Sequence, residues 1–515
     1  MGGELENSAS PLFGGPVTAQ DRRLRFILLL AWVALAAWFC VNHVFWRDEV
    51  RAFSLALSGS NPLEMLGNVH GEGHPALWYI ILRGLHDIFP YREVLPIAAA
   101  LLGFAAMALV AFKAPFRPLV VALILFSLYG AFEFVAVARN YGMSAVVMFA
   151  IAALYPRLKN SLWLGLLIAI LTNTNVPSGF LAASFLLFRF VEMVATRPVE
   201  KRDWLIFVGN ALLAALGAYL CFRTIYPTFN DGAVSNRLGI FGPATLIPAI
   251  FELKSGFSGL GSILWPPLPL LLIGLSCLGL IRKPAALCAA IAGFIGFKYF
   301  FYFVYPSSYR HEALYLCFLI ALYWMSAEGA GGSWSSKNPW VDRARIAGEY
   351  GFVALLALQT LQLMGPVSVE FGGLKYSRSA DVGRLLQRPD LRNAIVMGDP
   401  DPFLEALPYY ADNPLWFLRE RKFGKVVRLN REGRQDLRLA DVLADAELLH
   451  RQTGRPIVFL APLPLKPRLA KKVMYESTTT VTPEDLERFK SQTRLIATFR
   501  PAVTDEAYDV YVYPR

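Results

Sequence analysis

The 515-residue chain is predicted to be an α-helical polytopic membrane protein with a C-terminal extracytoplasmic α/β domain. Three observations predict this class. Hydrophobic residues make up 55% of the chain and charged residues only 17%, whereas soluble domains are nearer a quarter charged. Apolar stretches long enough to cross ~30 Å of hydrocarbon recur up to about residue 366. Residues 370–515 hold 24 of the 50 basic and 20 of the 39 acidic residues, which marks a change of domain.

The composition also excludes a disordered, collagen-like or disulfide-rich chain. The cysteines lie in apolar runs without zinc-site spacing, as small core residues do; they are Cys40, Cys221, Cys277, Cys288 and Cys317. The formal net charge of +11 does not require nucleic acid, because membrane proteins collect basic residues on the cytoplasmic side. We therefore expect the lipid bilayer as a partner and no nucleic acid.

The N-terminal 1–23 segment is expected to be a cytoplasmic tail, since it lacks the pattern of a cleaved signal peptide. The first span follows and continues to about Phe45, opening a transmembrane domain over 24–366. Ten further spans, about 11 in all, are expected at 94–112, 117–136, 141–155, 161–174, 176–195, 203–222, 259–281, 285–305, 311–326 and 346–366.

The distribution of Lys and Arg predicts the orientation. With the N-terminus inside, short inner segments hold fifteen basic residues, and the much longer outer loops before residue 370 hold nine. This asymmetry follows the positive-inside rule. It requires His74–Phe89 to lie at the outer surface as an interfacial helix rather than to cross. Two long outer loops result, 47–93 and 223–258, and the C-terminal domain lies outside the membrane.

The 367–515 segment reads as a small α/β domain. Its strand-like runs alternate with helical patterns, and a helix start is explicit at Thr482-Pro483-Glu484-Asp485, where a capping hydroxyl precedes Pro and two acids. The expected strands are Ala394–Gly398, Lys425–Leu429, Ile457–Ala461, Leu495–Phe499 and Tyr508–Tyr513.

Two adjacent carboxylates, Asp48 and Glu49, follow the first span directly. At the boundary of water and lipid, such a pair is suited to acid–base catalysis or to metal binding. A purely structural interpretation is an interfacial cap, with the neighbouring aromatic residues as anchors.

The same loop continues with His70, Glu72 and His74, separated by glycines. Imidazole and carboxylate suit zinc or manganese, so these three residues are candidate ligands, and dependence on a divalent metal is left open. The alternative for His74 is a hydrogen bond that fixes the loop or contacts a polar substrate. The glycines exclude a helical metalloprotease motif.

Three cations lie at or near the outer ends of apolar helices. Arg139 follows the 117–136 span, with Glu133 as a candidate structural partner, and Lys298 lies inside an otherwise apolar and aromatic run. Arg310 begins a later helix. Charges at this depth are costly unless they are paired or functional, so Lys298 and Arg310 are candidates for clamping an anionic headgroup. The alternatives are snorkelling for Arg139 and ion pairs with glutamate that only join helices.

Taken together, the motifs resemble the GT-C superfamily of lipid-linked glycosyltransferases, over about 24–330. The resemblance is to the bacterial branch of protein O-mannosyltransferase-like enzymes, aminoarabinose transferases and rhizobial galacturonosyltransferases. The matching elements are Asp48-Glu49, the motif His74-Pro75-Ala76-Leu77-Trp78-Tyr79, the motif Ala138-Arg139-Asn140-Tyr141, and Tyr309-Arg310-His311-Glu312. Some branches have a second Asp where this chain has Tyr141, so their acceptor mode and metal dependence do not carry over.

The resemblance implies an enzyme of the bacterial inner membrane that moves a monosaccharide from a polyprenyl-phosphate sugar to a hydroxyl of a glycan, lipid or protein acceptor. Asp48 is expected to be the general base, and Glu49 to orient it or to bind a cation. Arg139, Lys298 and Arg310 are expected to bind the donor phosphate. The remaining motif positions, expected to bind substrate, are His74, Tyr79, Tyr141 and His311.

Three other functions remain open on the sequence. An O-antigen ligase or polymerase shares the many spans and the large outer loop. A lipid-linked sugar transporter or flippase also fits, although the sequence shows no internal symmetry. A scaffold that binds partners through its outer domain leaves Asp48, Arg139 and Lys298 without a purpose.

Overall fold

The structure is a computed structural model. It describes residues 13–14, 17–195, 198–226, 242–252, 265, 267–305, 307–336, 338–428, 432–474 and 477–515. Helices dominate up to Phe371, and the strands lie beyond it. The predicted class, a helical membrane protein with a C-terminal strand-containing domain, is confirmed. Most of outer loop 223–258 lies outside the described residues.

The helical part contains sixteen α-helices among the described residues. The first nine are α1 (Ala19–Asn42), α2 (Arg47–Ala56), α3 (Pro62–Val69), α4 (Leu77–Ile88), α5 (Val94–Lys113), α6 (Pro118–Leu125), α7 (Tyr141–Leu158), α8 (Leu162–Thr172) and α9 (Val176–Ala195). The others are α10 (Lys201–Ile225), α11 (Pro243–Phe251), α12 (Leu268–Leu278), α13 (Pro284–Phe303), α14 (Tyr309–Ala327), α15 (Pro339–Gln362) and α16 (Met364–Phe371).

Seven helical stretches of the described chain are long and apolar enough to cross a membrane. They are α1, α5, α7, α9, α10, α13 and Pro339–Phe371, while α8 and α12 are shorter apolar helices. All nine overlap predicted spans. The predicted span 311–326 is α14, whose residues from Glu312 to Met325 are all buried at the centre of the bundle. The count of eleven stays a prediction.

The predicted span 117–136 is not one continuous helix. Helix α6 ends at Leu125, and a π-helical turn follows at Tyr129–Glu133. The Ser127 hydroxyl donates to the Ile124 carbonyl at 2.7 Å and accepts from the Gly130 N–H at 3.0 Å, which stabilises the break. A Cβ on Gly130 would lie 2.4 Å from the Ile124 oxygen, so only glycine fits. A π-helical turn of this kind often marks a functional site.

The first outer loop folds into α2, α3 and α4. The segment expected to be interfacial contains α4, which buries Trp78, Tyr79 and Leu82 on one side. On the other side Ile80 and Ile88 are exposed. This two-sided distribution is typical of a helix that lies along a membrane surface.

The C-terminal domain adds α17 (Ser379–Leu386), α18 (Leu439–Thr453) and α19 (Pro483–Gln492) to two sheets. Its strands are β1 (Ile395–Gly398), β2 (Leu415–Phe417), β3 (Lys422–Phe423), β4 (Asp436–Arg438), β5 (Ile457–Ala461), β6 (Arg468–Met474), β7 (Ser477–Val481), β8 (Arg494–Phe499) and β9 (Tyr508–Tyr513). The larger sheet has the order β3-β2-β1-β5-β9-β8, and the smaller has the order β4-β7-β6. Strand β1 is parallel to both β2 and β5, and β9 is antiparallel to β5.

Four of the five predicted strands are present. The predicted strand Lys425–Leu429 is wrong, because its described residues 425–428 do not form a strand. There the backbone N–H of Val427 donates to Glu405 at 2.6 Å, and that of Arg428 donates to Glu420 at 2.8 Å. Carboxylates therefore take the hydrogen bonds that a ladder would need. The predicted helix start at Thr482 is α19, where the Thr482 hydroxyl accepts from the Asp485 N–H at 3.1 Å.

The C-terminal domain packs directly on α2. Ala406 and Tyr409 of this domain share a buried cluster with Phe45 and Val50. The Tyr410 hydroxyl also donates to the Phe45 carbonyl at 3.1 Å. Helix α2 is therefore held between the helical bundle and the outer domain.

Candidate active site

The site begins where α1 ends and α2 begins. Glu49 fixes this corner, because its fully buried carboxylate accepts hydrogen bonds from Nε2 of His43 at 3.0 Å and from the Trp46 N–H at 3.1 Å. The same carboxylate accepts from the Ala138 N–H at 2.6 Å, which ties the residue before Arg139 to the start of α2. Every donor is supplied by the protein itself. This geometry is that of a positioning group, and a catalytic part for Glu49 stays a prediction.

Asp48 is half-buried in the first turn of α2. Burial alone raises the pKa of a carboxyl group, but the guanidinium groups of Arg139, Arg310 and Arg47 outweigh it, so the pKa of Asp48 lies below its ordinary value. The carboxylate is therefore ionised at neutral pH. Asp48 is thus brought together with two of the three cations that the sequence singled out.

Arg139 lies between Asp48 and His74. Its Nη1 donates to the backbone carbonyl of Asp48 at 2.6 Å, and its Nη2 lies 3.0 Å from Nε2 of His74. The predicted partner Glu133 is wrong for Arg139, since Glu133 binds another cation. Because the π-helical turn rotates Glu133 away, its carboxylate accepts from Nε of Arg310 at 2.7 Å.

Arg310 is held from two sides. Besides the pair with Glu133, its guanidinium lies 4.7 Å from the centre of the Trp46 ring, within cation–π distance. Both contacts hold the guanidinium in place near Asp48 and Tyr141, with which it interacts electrostatically. The remaining N–H groups of Arg310 suit an oxyanion.

Tyr141 and His311 form a polar pair beside the two arginines. Nδ1 of His311 accepts from the Ser308 N–H at 3.0 Å, so Nε2 carries the proton and donates to the Tyr141 hydroxyl at 2.9 Å. The hydroxyl then has its own proton available for a ligand. It interacts electrostatically with both Arg139 and Arg310, so it lies near both guanidinium groups.

His74 and Tyr79 complete the outer wall. Burial and the Arg139 guanidinium lower the pKa of His74 to about 4, so the ring is neutral and its Nε2 accepts from Arg139. Burial, with Glu72 nearby, raises the pKa of the Tyr79 phenol, although Arg139 and Arg51 oppose the rise. Both residues are therefore uncharged at neutral pH and suited to hydrogen bonding with polar groups.

Lys298 is placed apart from these residues. Its Nζ donates to the backbone carbonyl of Glu252 at 2.5 Å, and it interacts electrostatically with Glu252 and Glu312. Its part in binding the donor stays a prediction.

The candidate metal ligands each have a separate partner. His70 donates from Nδ1 to the Arg223 carbonyl at 3.0 Å, and the Glu72 carboxylate binds Arg51 at 2.5 and 2.9 Å. His74 binds Arg139. In the part of the chain that the structure describes, no three His, Cys, Asp or Glu side chains are grouped so as to hold a metal ion.

Sequence reasoning did not single out the groups that surround Asp48 from outside its own motif. Arg47 lies next to Asp48 in the chain, yet its partners Asp505 and Glu506 are more than 450 residues away. Trp46 is one of the aromatic residues expected to be interfacial anchors, but its ring contacts the Arg310 guanidinium. No local pattern marks Asp505 or Glu506, because the fold alone brings them to α2.

The arrangement offers one ionised carboxylate beside two fixed guanidinium groups and a hydroxyl with an available proton. A carboxylate can accept a proton from an attacking hydroxyl, and guanidinium groups stabilise the charge of a departing oxyanion. This combination is suited to group transfer from an anionic leaving group.

Two solved structures are similar to this chain over nearly its whole length. ArnT from Cupriavidus metallidurans in the apo state has 12% sequence identity and a TM-score of 0.47, covering 95% of this chain and 97% of that chain. ArnT from the same organism bound to undecaprenyl phosphate has 14% identity and a TM-score of 0.46, covering 94% and 97%. No protein-family model and no curated protein matches the chain. The function proposed below rests on the site itself.

Proposed function

We propose that this protein is a membrane glycosyltransferase that moves a monosaccharide from a polyprenyl-phosphate donor to an acceptor hydroxyl at the outer face of the bacterial cytoplasmic membrane. One observation carries the proposal: the Asp48 carboxylate, in the first turn of α2, interacts electrostatically with the guanidinium groups of Arg139 and Arg310. A base and an oxyanion site are the two groups that this reaction requires.

In the proposed reaction the acceptor hydroxyl attacks the anomeric carbon of the sugar. Its proton passes to the Asp48 carboxylate as the new carbon–oxygen bond forms. The bond from the anomeric carbon to the phosphate oxygen breaks, and polyprenyl phosphate leaves with the electron pair. Arg139 and Arg310 stabilise the charge that develops on this oxygen.

The low pKa of Asp48 makes it a weak base in the absence of the donor. Binding of the donor is proposed to raise this pKa. A phosphate group bound between Arg139 and Arg310 neutralises part of the positive field that lowers the pKa of Asp48. The carboxylate therefore becomes more basic when the donor is present. Without the donor, the carboxylate stays a weaker base.

The neutral groups of the site are proposed to contact the substrates. The Tyr141 hydroxyl, oriented by His311, is placed to donate to the phosphate or to the sugar. His74 holds Arg139 in place, and Tyr79 contributes a further hydroxyl near it. Lys298, on α13, is proposed as an additional donor contact, which Lys298→Met tests through the affinity for polyprenyl phosphate.

The decisive experiment compares purified wild-type protein with Asp48→Asn in lipid nanodiscs. A panel of polyprenyl-phosphate monosaccharides serves as donors and a membrane lipid extract as acceptor source, with released polyprenyl phosphate as the readout. We expect the Asn variant to lose at least about 100-fold in turnover, since general-base help is worth that much. Its affinity for polyprenyl phosphate alone is expected to remain, because both arginines are unchanged.

Asp87→Asn is the matched control, since Asp87 is half-exposed on α4 and pairs only with Arg83 among the described residues. Equal release by wild type and Asp48→Asn excludes Asp48 as the base. Binding of intact donor without release by either protein favours a transporter. Release of polyprenyl diphosphate from a donor glycan assembled on a lipid diphosphate, without release from the single-sugar donors, favours a ligase or polymerase.

A further inference from the structure

A crevice of about 440 Å³ lies in the C-terminal domain, outside the helical bundle. We call it the outer-domain crevice; its walls include Asp399, Phe459, Arg468, Lys472 and Arg500. The volume lies within the usual range for small-molecule sites, roughly 300–1,000 Å³. None of the predicted catalytic, donor-binding or substrate-binding residues lines it.

The position of the crevice in the sheet favours a binding site. Strand β1 lies between its parallel neighbours β2 and β5, so the chain leaves β1 to one side and later returns to the other. Asp399 directly follows β1, and Pro462 directly follows β5. The crevice therefore lies outside the carboxyl ends of two parallel strands at a topological switch point, where open α/β sheets bind ligands.

The charges of the crevice favour an anion. Of its two carboxylates, Asp399 is bound by Arg419 at 2.7 Å and by the Thr479 hydroxyl at 2.5 Å, and Asp505 is paired with Arg47 at 2.6 Å. No carboxylate of the described residues lies within ion-pair distance of Arg468 or Lys472. Nε of Arg468 is buried and has no hydrogen-bond partner among the described atoms. Asp399 attracts Arg468 electrostatically, but neither Arg468 nor Lys472 forms an ion pair with a carboxylate of the described residues, so both cations face the crevice without a direct partner.

The remaining lining is largely apolar and includes Phe403 and Phe459. A ligand that fits such walls combines an anionic group with apolar surface, as a phosphorylated or carboxylated saccharide does through the C–H faces of its rings. The Arg468 guanidinium is suited to bidentate binding of either oxyanion.

The crevice also adjoins the candidate active site. Phe403 and Asp505 form part of its wall, and both contact Arg47: the guanidinium lies 4.7 Å from the Phe403 ring centre. Arg47 in turn precedes Asp48 in the chain. A ligand in the crevice is thus separated from the proposed base by the wall residues Phe403 and Asp505 and by Arg47.

We propose that the outer-domain crevice binds a phosphate- or carboxylate-bearing saccharide and holds the anionic part of the acceptor while its hydroxyl reaches Asp48. The assignment to the acceptor rests on the function proposed above, whereas the binding of an anionic saccharide does not. Arg468 and Lys472 are the anion-binding residues.

The test uses full-length protein in nanodiscs and measures dissociation constants for maltose 1-phosphate, maltobionate and maltose by calorimetry. We expect one or both anions to bind and maltose to bind at least about tenfold more weakly. Arg468→Gln with Lys472→Gln is expected to weaken anion binding by a similar factor. Lys471→Gln, an exposed neighbour on β6 outside the crevice wall, is expected to leave it unchanged.

Comparison of maltose 1-phosphate with maltobionate shows whether the crevice binds the phosphate or the carboxylate group. Binding of neither anion at tens of millimolar, equal binding of maltose, or an unchanged affinity in the double variant each overturns the proposal. Thermal unfolding of the variants verifies that they are folded. Asp48→Asn is expected to bind the anion normally, so a failure of the transferase function leaves this binding result intact and distinguishable.

Discussion

Asp48 and Glu49 are neighbours in the chain but have opposite surroundings. Glu49 is fully buried, and His43, Trp46 and Ala138 donate hydrogen bonds to its carboxylate. Asp48 is half-buried and interacts with the guanidinium groups of Arg139 and Arg310, which are themselves only partly buried. We therefore expect that removing the charge of Glu49 disturbs the fold of the corner, whereas removing that of Asp48 affects the proposed chemistry.

His74 gives a prediction about pH. Its pKa is lowered to about 4 in the folded protein from an ordinary 6.5, so the unfolded chain binds the extra proton first as pH falls. The stability that the neutral ring contributes is complete above pH 6.5 and is lost as pH falls towards 4. We expect wild type to lose on the order of 2 kcal/mol more than His74→Gln between pH 7 and pH 5.

Thermal unfolding of both proteins across this pH range measures the difference. The Gln side chain can still accept from Arg139, so the variant keeps the contact and removes only the titration. Parallel pH curves for the two proteins contradict a buried neutral His74.

At the scale of single residues, the sequence predicts which side chains belong to the candidate site but not all of their partners. Asp48, Arg139, Arg310, Tyr141, His311, His74 and Tyr79 were all singled out, and the structure brings them together. The pairing of Glu133 with Arg310 was missed because a π-helical turn changes which way a side chain points. Hydropathy patterns do not register such a turn.

At the scale of elements, helix α2 connects the first outer loop to the C-terminal domain. Arg51 binds both carboxylate oxygens of Glu72 and also binds Glu405 of the outer domain, and all three side chains are largely buried. Its Nη1 donates as well to the Val427 carbonyl at 2.9 Å. A single guanidinium therefore joins the first outer loop to the C-terminal domain.

We expect Arg51→Met to destabilise the docked outer domain by about 3 kcal/mol, because Glu405 and Glu72 are left buried without a cation. Burial already raises the pKa of Glu405 to about 7 despite Arg51. In the variant this carboxyl takes up a proton more readily, so the loss is smaller at pH 6 than at pH 8.

Thermal unfolding and trypsin sensitivity of the domain junction measure this effect. Asp505→Asn is the comparison, since its pair with Arg47 is half-exposed and worth at most about 1 kcal/mol. Equal losses in the two variants contradict the role given to Arg51.

Long apolar helices and short β-branched strands were predictable as elements because their residue patterns are local. Helix α2 was not, since its ten residues mix charged and apolar positions and its apolar side is covered by the distant Tyr409. Strand β6 was also missed, because its sequence RLAKKVM has no buried alternation and pairs only with β7 in the smaller sheet.

At the scale of the whole molecule, the contacts separate into two ends. Segments expected inside the cell contact one another: Arg25 donates to the Ala114 carbonyl at 2.8 Å, and Glu192 accepts from the Gly331 N–H at 2.9 Å. Segments expected outside meet around Asp48. This separation supports the predicted sorting of loops, and the side on which each end lies stays a prediction.

Cysteine labelling tests that topology with two exposed serines. In a Cys288→Ala background, we expect Ser491→Cys to react with an impermeant maleimide on intact cells, and Ser335→Cys to react only after lysis. The reason is that an odd number of spans places residue 491 opposite the N-terminus. Labelling of residue 335 from outside contradicts the eleven-span arrangement.

Arg47 belongs to two sites at once, and this has a thermodynamic consequence. Its guanidinium contacts Asp505 and Phe403 of the outer domain, and the same charge lowers the pKa of Asp48. Linkage is reciprocal: if docking of the outer domain changes the protonation free energy of Asp48, protonation of Asp48 changes the docking free energy by the same amount. Docking of the outer domain is therefore expected to depend on pH wherever Asp48 titrates.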